Sequence, residues 1–332
     1  MPEGVLVIGA ANLDFKGRLF TEPIAGSSNS AAIKSSVGGV ARNIAENLAR
    51  LGVPVTLLTA VGDDFAGEDI LNKADEIDIN IGHALVIHNG ATGTYLAVLN
   101  NQGNLFFGLD DLRVLRNITP DYLHRNREAF LDCEIVALDM NLADDALLTA
   151  IQMAREYGKR ICVDPTSAEL AHRLRPHLPL LDMITPNIAE AEAILACAPI
   201  NTSDAALTAA RALVSLGVGA AVITQSERGA CYATAKESGH FPAVKVEIVD
   251  STGAGDALSA TVIFGMLQGF DLGESLRLGL RAAALTLRSA ETVVPDLSLD
   301  RLYGLDAVKA EVDVYAGDYG NIDETDSHYD EY

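Results

Sequence analysis

Two glycines and an aspartate stand at the start of a long apolar stretch, in the segment DSTGAGDALSA at residues 250–260. Gly253 and Gly255 let the backbone turn sharply and present its N–H groups outward, and the positive end of the following helix points at the same place. We interpret this junction as an anion-binding site. The carboxylate of Asp256 would repel a resting phosphate, so it suits a group that deprotonates a hydroxyl attacking that phosphate. On these residues alone, a glycine turn with Asp256 as a helix cap is an equal alternative.

Two further stretches offer groups suited to a sugar. In VGGVARNIAENLARLG, Gly38 and Gly39 allow close approach to the backbone, and Asn43 offers a donor and an acceptor to hydroxyls. In VIGAANLDFKGR, Asn12 and Asp14 are two residues apart, so in extended chain their side chains face one way. We interpret that pair as a bidentate contact for vicinal hydroxyls. The alternatives are an ordinary helix entry for the glycines and a hydrated loop aspartate.

The elements that must position these residues are short apolar runs. VLVIGA, VTLLTAVG, EIVALDM, RICVDP, DMITPN and AAVITQ are predicted strands, each followed by a segment with helical periodicity. Their uniform apolarity favours a parallel sheet with helices on both faces, so we predict a doubly wound α/β fold. Ligands in such folds bind beyond the carboxyl ends of the strands. The polar residues that follow these runs are Asn12, Asp14, Asp139, Asn141, Asp164, Asn187 and Thr224.

Three other stretches complete the organisation. TGTYLAVLNNQGNLFFGLDD (92–111) alternates apolar and polar residues about a hairpin turn, and FTEPIAGSSNSAAIKSSVGG supplies more extended chain. We predict a small β lid, inserted at about 15–37 and 84–113 in one domain of residues 1–305. The run of Val244, Val246 and Ile248 before the anion junction also alternates like a strand. Residues 306–332 form an acidic and, we expect, flexible tail.

Composition limits the function classes. The chain has 332 residues, 49% of them hydrophobic and 21% charged, which suits a globular protein with a sizeable core. A net charge of -22 argues against a basic surface that grips nucleic acid polymers. Four cysteines lie singly along the chain, so we expect reduced structural thiols. The start lacks the pattern of a signal peptide, and no apolar run approaches membrane-spanning length, so we expect a cytoplasmic protein without membrane contact.

The glycine pair, the G-A-G-D segment and their spacing resemble the ribokinase-like carbohydrate kinases of the PfkB family, over nearly the whole chain to about residue 305. The resemblance implies that Asp256 is the catalytic base. It also implies that Gly253, Ala254 and Gly255 line the anion hole and that Asn12, Asp14, Gly39 and Asn43 hold the sugar. The resemblance further implies that Asn187 and Glu190, of N-x-x-E, bind Mg²⁺ through water. It implies that Thr224, Gly229 and Thr252 contact the nucleotide, and that Asp250 and Thr252 bind a monovalent cation such as K⁺.

In finer detail the sequence is similar to the pseudouridine kinase branch of this family. It lies in GAANLDFKGR, SSNS, the glycine-pair helix and the lid hairpin. This branch implies transfer of a phosphoryl group from ATP to the 5′-hydroxyl of the nucleoside, with Mg²⁺, and the family implies a homodimer. Lys16 and Thr94 are expected substrate contacts, with Asn29 and Tyr95 as further candidates by location. Gln225 and Ser226 depart from many relatives in the nucleotide segment.

Other functions stay open. A ribokinase-like kinase for ribose, fructose or an ordinary nucleoside would share every catalytic residue. A dinucleotide-binding oxidoreductase would need G-x-G-x-x-G between the first strand and helix, where VIGAANLD supplies one glycine. A non-catalytic sugar-binding protein would have no need for G-A-G-D beside N-x-x-E.

Overall fold

The computed structural model describes residues 4–305, and the predicted acidic tail lies outside the described residues. The strands are β1 (Gly4–Ile8), β2 (Asn12–Leu19), β3 (Ala31–Gly38), β4 (Val55–Leu58), β5 (Ala60–Gly62), β6 (Leu85–Ile87), β7 (Gly93–Leu99), β8 (Leu105–Asp111), β9 (Cys133–Asp139), β10 (Arg160–Asp164), β11 (Met183–Ile184), β12 (Ala220–Thr224), β13 (Ala230–Thr234) and β14 (Ser238–Phe241). The helices are α1 (Val40–Arg50), α2 (Phe65–Asp75), α3 (Pro120–Arg125), α4 (Arg127–Leu131), α5 (Asp144–Glu156), α6 (Ala168–Ala171), α7 (Ile188–Leu195), α8 (Ser203–Ser215), α9 (Ala254–Gln268), α10 (Leu272–Leu287) and α11 (Leu299–Gly304). Short 3₁₀ turns occur at Arg113–Asn117, His172–Leu180 and Ser226–Arg228.

The main sheet has eight strands in the order β14-β13-β12-β11-β10-β9-β1-β4. The strands from β12 to β4 are parallel, and β13 and β14 are antiparallel to their neighbours. Successive side chains of β1 enter opposite cores, with Leu6 and Ile8 on one face and Val5 and Val7 on the other. A strand buried on both faces needs an unbroken apolar run. The predicted doubly wound α/β fold is therefore confirmed.

A second sheet lies outside this layered core and has the order β3-β2-β7-β8. β2 is antiparallel to β3 and parallel to β7, and β7 and β8 form the predicted hairpin. The turn is closed by Asn100, whose side-chain oxygen accepts from the backbone N–H groups of Gln102 and Asn104. β8 is exposed along its whole length. Both predicted insertions therefore contribute strands to one small sheet.

Two local predictions are wrong. AAVITQ is followed by the antiparallel strand β13 instead of a helix, because Gly229, at φ +88°, lets the chain turn back directly. Val244, Val246 and Ile248 form no strand. They follow β14 at the edge of the sheet, and Pro242 breaks the ladder because it has no N–H to donate. Alternating apolar and polar residues without a neighbouring strand give an extended segment that belongs to no sheet.

Packing brings the two glycine-led helices together. α1 and α9 lie on the same face of the main sheet and contact one another through the same apolar core. Their first turns meet at the carboxyl edge of the parallel strands. Three of the four cysteines are buried, and all four are free thiols. Within residues 4–305, no helix combines the length and apolarity that a bilayer crossing requires.

Candidate active site

The anion junction is the beginning of α9. Gly253 caps the helix at φ +81°, and a Cβ at this position would lie 2.0 Å from the carbonyl oxygen of Thr292, so only glycine fits. Gly255 is different, because a Cβ there would meet no atom within 4 Å. The first helical bond is from Ala257 N–H to Gly253. The N–H groups of Ala254, Gly255 and Asp256 precede it, in the region where a helix N-terminus attracts anions.

Asp256 does not cap its own helix. No side chain caps α9, and Oδ2 of Asp256 instead accepts from Nδ2 of Asn43 at 2.7 Å. Burial, and next the charge of Asp164, raise the pKa of Asp256 well above its usual range. The structure thus brings together two residues that the sequence placed in separate motifs. Of the two interpretations of this aspartate, the structure does not show the helix cap.

Arg42 orients Asn43, and sequence reasoning missed it. Its Nη1 donates to Oδ1 of Asn43 at 3.1 Å, and its other nitrogen pairs with Glu46. An amide whose oxygen is held by a guanidinium must point its nitrogen the other way, toward Asp256. The available signal was a charged residue in the first turn of a helix that is otherwise almost wholly buried.

Asn12 and Asp14 face one way, as predicted from their spacing. Asn12 is buried and donates from Nδ2 to Oδ1 of Asp14. Gly38 makes room for Asp14, since a Cβ there would lie 2.1 Å from its carboxylate, and Gly39 makes room for the neighbouring backbone, since a Cβ there would lie 2.4 Å from the Ala10 carbonyl oxygen. Burial raises the pKa of Asp14 to about 6. Asp14 is therefore a partly desolvated carboxylate at the mouth of the site.

Asp139, at the end of β9, is fully buried and joins the end of β1 to the start of α1. Its carboxylate accepts from the backbone N–H groups of Ala10 at 2.7 Å, Ala41 at 3.1 Å and Asn141 at 2.9 Å. Burial raises its pKa. The sequence marked Asp139 only as a strand-end polar residue. Its two bonds to the distant backbone groups of Ala10 and Ala41 cannot be read along the chain.

The N-x-x-E element forms the entry to α7. Asn187 Oδ1 accepts from the N–H of Glu190 at 3.0 Å, and Glu190 Oε2 accepts from the N–H of Asn187 at 2.8 Å. This reciprocal capping box is a structural reason for the spacing, independent of any metal. Burial, and next the charge of Asp164, raise the pKa of Glu190 to about 7.

The surroundings of Glu190 suit a cation held through water. Burial also raises the pKa of Asp164 to about 6, and its charge reaches both Glu190 and Asp256. A divalent cation near Asp164 would stabilise the ionised forms of Asp164, Glu190 and Asp256. Among the described residues, no cluster of three His, Cys, Asp or Glu side chains is close enough to hold a metal directly. The residues therefore fit Mg²⁺ that is bound through water.

The nucleotide candidates lie at the same edge of the sheet. Thr224 ends β12, donates its N–H to Pro186 and bridges to Asn187. Gly229 turns the chain, and a Cβ there would meet the Phe241 carbonyl oxygen at 2.0 Å, so packing alone requires glycine. Gln225 is buried, and the Ser226 backbone has φ +53°.

Lys16 extends from β2 toward the loop before α9. Its Nζ lies 2.7 and 2.6 Å from the two carboxylate oxygens of Asp250 and 2.7 Å from the hydroxyl of Thr252. Asp250 and Thr252 are the residues expected to bind a monovalent cation. Both side chains already bond to an ammonium group of this chain, so they do not fit a second cation at the same oxygens.

The other expected substrate contacts are spread along the second sheet. Thr94 is half-buried on β7, opposite Leu13 of β2. Burial, and next the charge of Asp14, raise the pKa of the Tyr95 phenol. Asn29 is exposed and bonds to the backbone of Ile24 within its own loop. These two hydrogen bonds show that Asn29 closes its own loop.

Comparisons with known proteins identify a matching family and similar proteins. The family profile of the pfkB family carbohydrate kinases matches residues 3–298. Pseudouridine kinase of Escherichia coli K12 is 31% identical over 302 residues, covering 91% of this chain and 96% of that protein. Guanosine-inosine kinase of Exiguobacterium acetylicum is 31% identical over 301 residues, covering 90% and 99%. The structure of Arabidopsis thaliana ribokinase complexed with ribose and ATP has a TM-score of 0.76 at 21% identity, covering 91% and 99%, which shows a shared ribokinase-like fold.

Proposed function

The chain belongs to the pfkB family of carbohydrate kinases, which are phosphotransferases with an alcohol acceptor, and from this premise we propose that it phosphorylates the 5′-hydroxyl of pseudouridine with ATP. The products are pseudouridine 5′-phosphate and ADP. The observation that carries the proposal is the position of Asp256. Its carboxylate lies beside the open N-terminus of α9 and is held by Asn43 across the site.

Asp256 accepts the proton of the attacking hydroxyl as the new O–P bond forms. An ordinary carboxylate cannot fully deprotonate an alcohol beforehand, so position matters more than basicity. The raised pKa of Asp256 nonetheless makes its carboxylate a better proton acceptor than an exposed one. The N–H groups at Gly253, Ala254 and Gly255 stabilise the charge on the moving phosphoryl group, because the positive end of α9 converges there.

Asp14 and Asn12 orient the sugar by accepting from and donating to its vicinal hydroxyls, with Gly39 and Asn43 completing the contact. Asp14 is suited to this role because its carboxylate is partly desolvated and already aligned by Asn12. A hydroxyl that replaces lost water at a buried carboxylate is bound tightly and directionally. Thr94 and Lys16 lie on the same small sheet at the edge of this contact.

We place ATP at the carboxyl edge beside Asn187, Thr224, Gly229 and Thr252. Asn187 and Glu190 would hold Mg²⁺ through water, and the cation would neutralise charge on the phosphates. Glu190 is kept in reach of that position by its capping-box bonds to Asn187.

The small sheet of β2, β3, β7 and β8 serves as the lid. Water competes with the sugar hydroxyl as phosphoryl acceptor, so a cover over the site protects the reaction. We further propose that two copies pair through this sheet as a homodimer. β8 is an edge strand, exposed throughout, with Leu105, Phe106, Phe107 and Leu109 more than two-fifths accessible. Such an edge favours pairing with another strand.

Pseudouridine is the preferred acceptor because the matching segments extend beyond the catalytic motifs to the lid. A relative that acts on it and one named for guanosine and inosine are both 31% identical, so another nucleoside or sugar is the second candidate. Pseudouridine carries a ring N–H that uridine lacks. A buried acceptor for this N–H would reject uridine, because the acceptor would be left without a partner.

The test is ATP turnover by the purified protein with Mg²⁺, comparing pseudouridine, uridine, guanosine, inosine, adenosine, ribose and fructose, with the product identified by mass. A monophosphate formed fastest from pseudouridine supports the proposal. Faster turnover of another acceptor would support the kinase activity but assign a different substrate. Failure of every acceptor to stimulate ADP formation would leave a non-catalytic sugar-binding protein as the better explanation.

A further inference from the structure

The ammonium of Lys16 joins the small sheet to the loop that enters the anion hole. It bonds to both Asp250 oxygens and to the Thr252 hydroxyl, all within 2.7 Å, across 234 and 236 residues of sequence. Lys16 is two residues beyond Asp14 on β2, so the two side chains lie on one face of the strand. The ammonium therefore lies on the same side of β2 as Asp14, the proposed sugar contact.

The Asp250 turn is built around that charge. Its Oδ1 also accepts from the N–H of Thr252 at 2.9 Å and from the hydroxyl of Thr252 at 2.8 Å. Thr252 is followed directly by Gly253, which caps α9. Burial alone would raise the pKa of Asp250, but the hydrogen bonds from Lys16 and Thr252 lower it below the ordinary value. A positive charge thus holds Asp250 ionised at the entrance to the anion hole.

We propose that the Lys16 ammonium takes the place of a bound monovalent cation at the Asp250–Thr252 turn, so that turnover is independent of K⁺. Lys16 acts as a positioning residue: it holds the turn that presents the N–H groups of α9. A K⁺ ion at the same oxygens would lie beside the ammonium and be repelled by it. The inference rests on the proposed kinase activity only for its rate measurements.

The matched control is Lys34→Met. Lys34 is the direct partner of Lys16 across β2 and β3, carries the same charge and is exposed to solvent. The test variants are Lys16→Met, which removes the charge, and Lys16→Arg, which keeps it. Turnover is measured in KCl and in tetramethylammonium chloride at constant ionic strength. Binding of Tl⁺, a K⁺ substitute with an NMR signal, is measured on the same proteins without acceptor.

We expect the wild type, Lys34→Met and Lys16→Arg to show equal turnover in the two salts and no saturable Tl⁺ binding. Without K⁺, Lys16→Met should lose about tenfold or more in turnover, and KCl should restore it, because K⁺ can then enter the turn. Stimulation of the wild type by K⁺, or a Lys16→Met variant that KCl does not affect, would overturn the proposal. The Tl⁺ signal decides the matter even if no acceptor is turned over: saturable binding by Lys16→Met alone supports the proposal, and binding by the wild type or by neither protein refutes it.

Discussion

Asn43 and Asp256 are 213 residues apart in sequence, and Nδ2 of Asn43 donates to Oδ2 of Asp256 at 2.7 Å. This bond joins the first turns of α1 and α9, the two helices that begin with glycines. It places the proposed base between a sugar contact and the anion hole. The bond also favours the ionised form of a carboxylate whose surroundings otherwise favour the protonated form.

Asp256→Asn should abolish most turnover while nucleoside binding persists. The amide keeps the size of the side chain but cannot accept the hydroxyl proton, and loss of a general base costs about 10²- to 10⁴-fold in rate. Turnover and calorimetric binding of the acceptor, measured on the same preparation, separate the two effects. Asp300→Asn, at the start of α11, is a control that should change neither. Near-normal turnover of Asp256→Asn would contradict the assignment.

Gly255→Ala should make the protein more stable and less active. Alanine is favoured over glycine inside a helix by about 0.5–1 kcal/mol, and the added methyl meets no atom within 4 Å. That methyl would instead occupy the space in front of the helix N-terminus, where the phosphoryl group must lie. Gly304→Ala, in α11, has equal room and is the control. Thermal unfolding and turnover check both proteins, and a fully active Gly255→Ala would argue against the anion hole.

Acceptor binding should weaken as the pH falls through 6. The pKa of Asp14 is raised to about 6, so its carboxylate is charged above that pH and becomes protonated below it. At pH 5 only about a tenth of these groups remain ionised, so the KM for the acceptor should rise by up to about tenfold between pH 7 and pH 5. In Asp14→Asn the KM should be high and nearly constant over this range. A wild-type KM that does not change with pH would refute the role of this carboxylate.

Asp139→Asn should destabilise the fold and raise the KM more than it lowers kcat. The amide nitrogen cannot accept, so at least one of the three backbone N–H groups, two of them buried and one partly buried, loses its partner, at a cost of about 1–3 kcal/mol. The loop that carries Asn12 and the start of α1 would then lose their common anchor. Urea unfolding and steady-state kinetics measure the two effects. Asp121→Asn, exposed on α3, serves as control. An unchanged KM in Asp139→Asn would show that the Asp139 carboxylate stabilises the fold without positioning the acceptor site.

Much of the architecture was predictable because its signals are local. Buried parallel strands need continuous apolar runs, and these runs located the parallel strands of the main sheet, β1, β4, β9, β10, β11 and β12. The predictions failed where a neighbour decides the outcome. Val244, Val246 and Ile248 alternate, but no strand lies beside them, and the segment after β12 turned back at Gly229 instead of entering a helix.

The sequence by itself determined which chemical groups are present and where glycines begin a helix. A helix start and a hairpin turn depend on residues a few positions apart, so their spacing along the chain is sufficient evidence. Tertiary structure alone decided that Asn43 meets Asp256, that Arg42 orients Asn43, that Asp139 anchors two distant backbones and that Lys16 reaches Asp250. These contacts, apart from that of Arg42 with its neighbour, join residues about a hundred or more positions apart. They exist because the parallel strands end at one edge, α1 packs on α9, and the small sheet lies over the loop that begins α9.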